Sequence, residues 1–242
     1  MPLTAPGRLQ FRPRLWPTLA LFAGLALFGS LGLWQQGKAD RQAVATARHE
    51  QRSSRVPIPI GAELVDPDQA QDLRFTVKGR YEPERQFFVD NRQENGVPGV
   101  HVITPLRIGQ SETRILVNRG WIGWGQGRQH LPQVAVPEGE VEISGIAIVP
   151  STKKFFLMPE NTGESTQLRM RVDIAKFAGL SPHPLQPIVL LQDAGNAGEG
   201  LVRNWLPPEN RSDMHRSYAL QWLGMAFALL VFYAFSTVQR TR

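Results

Sequence analysis

Two Asn-Arg pairs and one histidine beside an apolar run are the residues of this 242-residue sequence whose types and spacing suit binding chemistry. Asn91-Arg92 closes the run Phe87-Phe88-Val89-Asp90, and Asn118-Arg119 closes Ile115-Leu116-Val117 ahead of Gly120-Trp121. Each pair sets an amide beside a guanidinium at a strand end. Arg holds a carboxylate through two parallel charge-assisted hydrogen bonds, so two such corners can grip carboxylates, porphyrin propionates among them, or an acidic partner. The same residues also have a structural use: Asn takes turn geometry easily, and Arg119 can cover Trp121 through a cation–π contact. Trp121-Ile122-Gly123-Trp124-Gly125-Gln126-Gly127 sets two indoles in a Gly-rich loop, which suits an interfacial belt, a docking patch or packing beneath a β-domain. The histidine opens the segment His215-Arg216-Ser217-Tyr218-Ala219-Leu220-Gln221-Trp222. At about 100° per helical residue, His215, Tyr218, Ala219 and Trp222 share one face, and Ala226 and Tyr233 continue it. A flat apolar macrocycle can lie on such a face with His215 as an axial haem-iron ligand. Equally, His and Tyr sit well at headgroup depth, and Ala stripes let membrane helices pack closely.

Other chemistries find no support. There is no Gly-x-Ser-x-Gly elbow, no His-Glu-x-x-His helix and no phosphate-cradling Gly loop ending in Lys-Ser/Thr, so converging acids, bases or nucleophiles are not indicated. The five histidines (His49, His101, His130, His183, His215) have no mutual spacing of three or four residues, which leaves a His-only metal site to the fold alone. His101 falls on the face of Ile103 in an apolar strand, where a satisfied core or edge histidine is expected. Zero cysteines exclude a disulfide scaffold, a thiolate zinc site, a Cys-based copper site and covalently attached c-type haem. The net charge of +6 is spread without any run of five or six Lys/Arg, which argues against nucleic acid. Only five of the 27 basic residues are lysines (Lys38, Lys78, Lys153, Lys154, Lys176). That bias fits anionic lipid headgroups or an acidic ligand, or simply an Arg-rich proteome.

The elements that must position these residues are two apolar runs with a β-rich segment between them. Leu15 to Trp34 and Tyr218 to Val238 carry no charged side chain, and each reaches the roughly 20 residues that a helix needs to cross hydrocarbon. The first is too long for a signal-peptide core and begins too early to leave room for an organellar presequence. Arg8, Arg12 and Arg14 before it, and Arg240 and Arg242 after the second run, are unopposed by acids, so both tails read as cytoplasmic. The expected order is therefore a cytoplasmic tail (1–14), transmembrane helix (15–34), helical stalk (35–55), periplasmic β-rich domain (56–217), second transmembrane helix (218–238) and cytoplasmic tail (239–242), in a bacterial inner membrane. Strict alternation from Leu73 to Tyr81 predicts a half-buried strand. Further strand-like runs are Gln86 to Asn91, Gly99 to Ile108, Thr113 to Asn118, Glu140 to Val149, Met170 to Ile174 and Pro187 to Gln192, while Leu180 to Pro187 and Asp193 to Gly200 read as loops. The fold class is thus a membrane protein of α+β type, with two transmembrane helices flanking a mainly antiparallel β barrel or sandwich outside the cytoplasm.

With these pieces in place the chain resembles the Surfeit locus protein 1 family of cytochrome c oxidase assembly proteins. The resemblance is carried by Leu31-Gly32-Leu33-Trp34-Gln35, Val77-Lys78-Gly79-Arg80-Tyr81, Val89-Asp90-Asn91-Arg92 with Gly96 and Gly99, Val102-Ile103-Thr104-Pro105-Leu106, Leu116-Val117-Asn118-Arg119-Gly120-Trp121, and His215 through Trp222. The chain departs from the family's usual pattern at Met214, Leu223 and Lys38. The resemblance implies a non-enzymatic factor that helps mature the haem-a-containing core subunit of a haem-copper oxidase. It further implies haem a as a transiently bound cofactor, His215 as its contact beside Tyr218 and Trp222, and the oxidase core subunit as partner, with haem a synthase as a further candidate. The rival expectation is a membrane scaffold that stabilises the unfinished core subunit without touching haem.

Overall fold

The computed structural model describes residues 9–125, 127–128, 130–150, 167–179, 181–195, 200–207 and 210–240. It divides into a unit built from the two chain ends, Met1–Arg48 with Pro207–Arg242, and a second unit, His49–Leu206.

In the first unit β1 (Leu9–Phe11) precedes the 39-residue helix α1 (Leu15–Ser53). Leu and Ala dominate the start of α1, and its Pro17 falls in the first turn, where no intrahelical acceptor is lost. The apolar span and the polar stretch after it form one continuous helix, which ends four residues before Pro57. At the other end of the chain the last long helix (Ser212–Thr237) begins six residues before the apolar run, with Asp213 in its first turn where the helix dipole favours an acid. It stops at Thr237, and the next three residues pair antiparallel with β1, Leu9 opposite Arg240 and Phe11 opposite Val238. Small residues let the two helices approach: a Cβ on Gly24 would stand 2.4 Å from Leu229 Cδ2, and one on Gly32 would stand 3.2 Å from Leu223 Cγ. The hydroxyls of Thr18 and Tyr233 lie 2.5 Å apart. Both helices are long and apolar enough to cross a membrane, and only 11% and 6% of their most apolar windows are buried. A core helix of a soluble protein would be covered; these leave their apolar faces exposed.

The second unit is a β structure. Its strands are β2 (Ile58–Pro59), β3 (Arg74–Tyr81), β4 (Phe87–Glu94), β5 (Val97–Ile108), β6 (Arg114–Gly123), β7 (Val141–Ile148), β8 (Leu168–Arg169) and β9 (Leu185–Gln192), with short helices α2 (Pro67–Ala70) and α3 (Ile174–Gly179). The terminal elements of the first unit are accordingly α4 (Ser212–Thr237) and β10 (Val238–Arg240). Strands β3, β7, β9, β6 and β5 follow one another around the sheet, and β3 then meets β5 through Gly79–Ile108, Arg80–Arg107 and Tyr81–Leu106. Sandwich is thereby excluded: the sheet closes into a five-stranded Greek-key barrel with the strand order of OB-type barrels. Every neighbouring pair in the barrel is antiparallel except β6 with β9.

Closure depends on β5, which has 12 residues. Its first edge pairs with β6 from Gly99 to Arg107. Its second edge is shared, Val97–Ile103 with β4 and Leu106–Ile108 with β3. Phe75, Val77, Tyr81, Leu106, Ile115, Val117, Ile143, Ile188 and Leu190 fill the barrel. The opposite faces are covered too: Phe87, Ile103, Leu116 and Val189 pack with Phe177 of α3, and Phe88, Val100 and Val102 pack with Trp124. Burial on both faces is why Ile115-Leu116-Val117 is continuously apolar.

Two boundaries differ from the sequence reading. Met170 to Ile174 is not a strand: β8 is the two residues upstream, and Asp173 accepts from the Lys176 N–H at 3.0 Å to start α3. The segment read as a loop up to Pro187 enters β9 at Leu185.

The β3–β5 seam has no room for a side chain at Gly79, where a Cβ would stand 2.0 Å from the Arg107 carbonyl oxygen and 2.5 Å from Leu106 Cδ2. Gly79→Ala is expected to cost about 1–3 kcal/mol and lower the thermal midpoint of the full chain followed by circular dichroism. Gly61→Ala, at a position whose Cβ meets nothing within 4 Å, should leave the midpoint near wild type. Equal midpoints for the two variants would rule out a tight seam.

Candidate functional site

Two places gather the candidate residues. On α4, His215 Nδ1 lies 2.8 Å from Gln35 Oε1 of α1. An amide oxygen only accepts, so Nδ1 carries the proton and Nε2 keeps its lone pair. The rest of the stripe is the contact between the two helices: Ala219 is 3% exposed, and the Trp222 ring stacks on Phe28 with centroids 5.9 Å apart. Tyr218, 44% exposed, points away from that contact. The stripe drawn on a helical wheel is therefore covered by α1 along Ala219 and Trp222, and a ligand has access at His215 and Tyr218. Lys38 lies over the Trp34 ring at 4.1 Å, one turn beyond Gln35.

The second place is a cleft in the β unit, made by two β-bulges. In β4 the register with β5 shifts between Val89 and Arg92, with Asn91 at φ 58° and its N–H donating to Asp90 Oδ1 at 2.6 Å. Asn tolerates this left-handed geometry, and the bulge re-aims the residue that follows it. That residue is Arg92. In β6 the register shifts where Ile103 faces Asn118 and Val102 faces Gly120, so Arg119 is the extra residue and Gly120 takes φ 143°. Asn118 and Arg119 point to opposite sides of the sheet, as successive strand residues do.

Asn118 points into the cleft. Its Oδ1 accepts from the Gly120 N–H at 3.2 Å, which leaves Nδ2 to donate to His101 Nδ1 at 3.1 Å. His101 thus carries its proton on Nε2. The imidazole meets the Trp205 ring edge-on, centroids 5.6 Å apart, and Trp205 Nε1 is anchored on the Gln192 carbonyl at 2.6 Å. Burial, reinforced by the Arg92 charge, pushes the His101 pKa down to about 4. Arg92 is itself partly desolvated, which lowers its pKa, and its Nε is buried without a hydrogen-bond partner among the described residues. Asn91, Arg92, His101, Asn118 and Trp205 line a cleft of about 440 Å³ together with Met170 and Arg171, over aliphatic residues of β4, β5 and β9.

Of the residues singled out in the sequence, Asn91, Arg92 and Asn118 meet here. Arg119 does not: it is wholly buried, donates to Gln86 Oε1 at 3.1 Å and the Ala135 carbonyl at 2.7 Å, and stacks on Tyr81 at 5.3 Å. It holds the barrel together. The cation–π contact that the structure gives Arg119 is with Tyr81. Trp121 lies over Gly99 and donates from Nε1 to the Arg92 carbonyl at 3.3 Å, so it braces the bulge from behind. Trp124 packs in a core cluster, and Gln126 of the same Gly-rich loop lies outside the described residues. Trp205 is the residue that sequence reasoning missed, and His101, read there as a satisfied core or edge histidine, is hydrogen-bonded as expected but faces the cleft. A signal existed for His101, since pairing β5 with β6 as a hairpin brings it beside Asn118. Trp205 sits in a segment without regular structure, and nothing in the sequence ties it to β5. No group of three or more His, Cys, Asp or Glu side chains able to hold a metal ion occurs among the described residues.

Comparison with known proteins gives a family match over residues 22–227 to the SURF1 family. Similar proteins include Surfeit locus protein 1 of Mus musculus, 26% identical over 87% of this chain and 72% of that one. A SURF1-like protein of Rickettsia conorii is 23% identical over 88% of each chain. The cytochrome oxidase assembly protein SHY1 of Saccharomyces cerevisiae is 24% identical over 67% of this chain and 44% of its own length.

The His101 environment makes a pH prediction. The folded cleft refuses a proton that the unfolded chain accepts below its ordinary value of 6.5, down to about 4. Stability therefore falls as pH drops through that window, by up to about 3 kcal/mol at 1.36 kcal/mol per pH unit. His101→Gln should remove most of the difference in thermal midpoint between pH 7 and pH 4.5. An unchanged difference in the variant would mean that His101 is not held neutral by the fold.

Proposed function

Because this chain belongs to the SURF1 family, we propose that it is a non-enzymatic assembly factor for a haem-copper cytochrome c oxidase, which holds haem a at the outer edge of the bilayer and hands it to the core catalytic subunit. The β-rich unit lies on the periplasmic side of a bacterial inner membrane, with both termini cytoplasmic. The acid-free basic tails, Arg8, Arg12 and Arg14 at one end and Arg240 and Arg242 at the other, support that orientation. Partners are the oxidase core subunit, the lipid bilayer and, for supply of the cofactor, haem a synthase.

The single observation that carries the haem reading is the His215–Gln35 hydrogen bond. An imidazole whose Nδ1–H is held by a carbonyl-type oxygen presents Nε2 in a fixed direction, the arrangement that orients metal-ligating histidines. His215 would hold the haem iron and Tyr218 would flank the ring. Haem supplies an iron that takes an imidazole and a ring whose transfer through water is unfavourable; the protein supplies a membrane-edge ligand that lowers that cost. No reaction is required, and a hold-and-release role needs no acid, base or nucleophile.

One observation favours a second reading. Ala219 and Trp222 are spent on packing against α1, which is what a scaffold that never touches haem would need.

An absorption spectrum of the detergent-purified protein, co-produced with a haem a synthesis pathway, separates the two. The haem reading expects a reduced haem a band that is lost or shifted in His215→Ala and retained about tenfold less well in Gln35→Leu. A spectrum without haem in wild type, from a protein that restores oxidase activity to a deletion strain, would leave the scaffold. Equal haem in wild type and His215→Ala would remove His215 as the ligand.

A further inference from the structure

The β-unit cleft has a composition that barrel packing does not require. A bulge with a left-handed Asn91 places Arg92 at its rim, and among the described residues its Nε is buried and unpartnered and no carboxylate pairs with its guanidinium. The carboxylate nearest in sequence, Asp90, is engaged elsewhere: it accepts from the Asn91 N–H at 2.6 Å and from Arg128 at 3.1 Å. A bare, partly desolvated cation is costly unless an anion joins it. Beside Arg92, the Asn118 amide fixes His101 with its proton on Nε2, so a neutral N–H is offered as well. Asp90, Asn91 and Arg171 also line the cleft, the rest of the lining is apolar or aromatic, Ile103, Val189, Leu191 and Trp205 among it, and a volume of about 440 Å³ lies within the size range of small-molecule sites.

We propose that this cleft binds a carboxylate carried on an apolar body, the carboxylate taken by Arg92 and His101 Nε2–H, and the body enclosed by Trp205 and the aliphatic wall. A guanidinium fork matches the two carboxylate oxygens. Two guanidiniums, Arg92 and Arg171, against the one Asp90 carboxylate leave the lining a single net positive charge, which suits a monoanion better than a doubly charged phosphate, and the apolar wall excludes small hydrated anions. The chemistry is shared by a free apolar acid and by the propionate of a porphyrin. The site stands on the geometry of the β unit and does not require His215 to ligate iron.

The test is calorimetry on the full chain in lipid nanodiscs with three probes: 4-phenylbutyrate, its uncharged amide, and metal-free mesoporphyrin, which cannot use an axial ligand. Wild type is expected to bind 4-phenylbutyrate, mesoporphyrin or both, and to bind the amide at least tenfold more weakly than the acid. Arg92→Met should weaken acid binding at least tenfold while near-UV circular dichroism stays unchanged, and Asn118→Leu should weaken it less. Saturation by phenylbutyrate alone identifies a small acid as the ligand class; Arg92-dependent binding of mesoporphyrin identifies the porphyrin. If neither carboxylate binds, if acid and amide bind alike, or if Arg92→Met binds as wild type, the proposal is overturned. The acid–amide comparison uses only wild-type protein, so it decides even if Arg92→Met fails to fold. Since no iron is involved, each outcome is separate from the fate of the haem reading.

Discussion

The second edge of β5 is divided between β4 and β3, and the arrangement of the β unit depends on that division. Without β3 on Leu106–Ile108 the sheet would remain open; without β4 on Val97–Ile103 there would be no strand to carry Arg92. A single long strand thus closes the barrel at one end and founds the cleft at the other. The two bulges follow from the same geometry. Both lie opposite Gly99 to Ile103 of β5, one in each neighbouring strand, where an inserted residue shifts the register. One inserted residue turns Arg92 into the cleft; the other is Arg119, which follows Asn118 on the opposite face and enters the barrel core.

That division explains how similar dipeptides come to have different uses. Asn91-Arg92 ends near solvent, so its Arg faces an open cleft and waits for an anion. Asn118-Arg119 lies in the middle of the closed sheet, so its Arg is swallowed by the barrel and held by Gln86, Ala135 and Tyr81. Arg119 is an ionised group at 0% exposure, tolerated because oxygens and an aromatic face surround it. The terminal helices obey a different constraint. Their apolar faces are left exposed, and their contact is made by shape, with Gly24 and Gly32 admitting Leu229 and Leu223, and by the hydrogen bond that His215 donates to Gln35 at the end of the contact.

What the sequence made legible was whatever is written locally. Two uncharged runs of membrane-spanning length, the continuation of α1 as a polar helix to Ser53 and the alternation of β3 all follow from periodicity. Barrel closure was not legible, because Gly79–Ile108 and Arg114–Leu185 are pairings between distant segments that periodicity does not encode. The bulges were hidden for a related reason: an inserted residue breaks the two-residue alternation, and the pattern then reads as a strand end. Met170 to Ile174 misled in the opposite direction. Val172 and Ile174 alternate as strand residues do, yet they serve as a cover over Phe177, Phe87 and Val189 beside a one-turn helix. The candidate site was half visible, its amides and Arg92 read directly and His101 and Trp205 supplied by tertiary contact.

A hold-and-release factor must change what its client contains, so the decisive quantity is haem a in the oxidase core subunit isolated from cells that lack this chain. If His215 holds haem a for transfer, that subunit will be depleted of haem a in the deletion strain, restored by the full chain and left depleted by a folded chain carrying His215→Ala. Full haem a content in the deletion strain, or full restoration by His215→Ala, would contradict it.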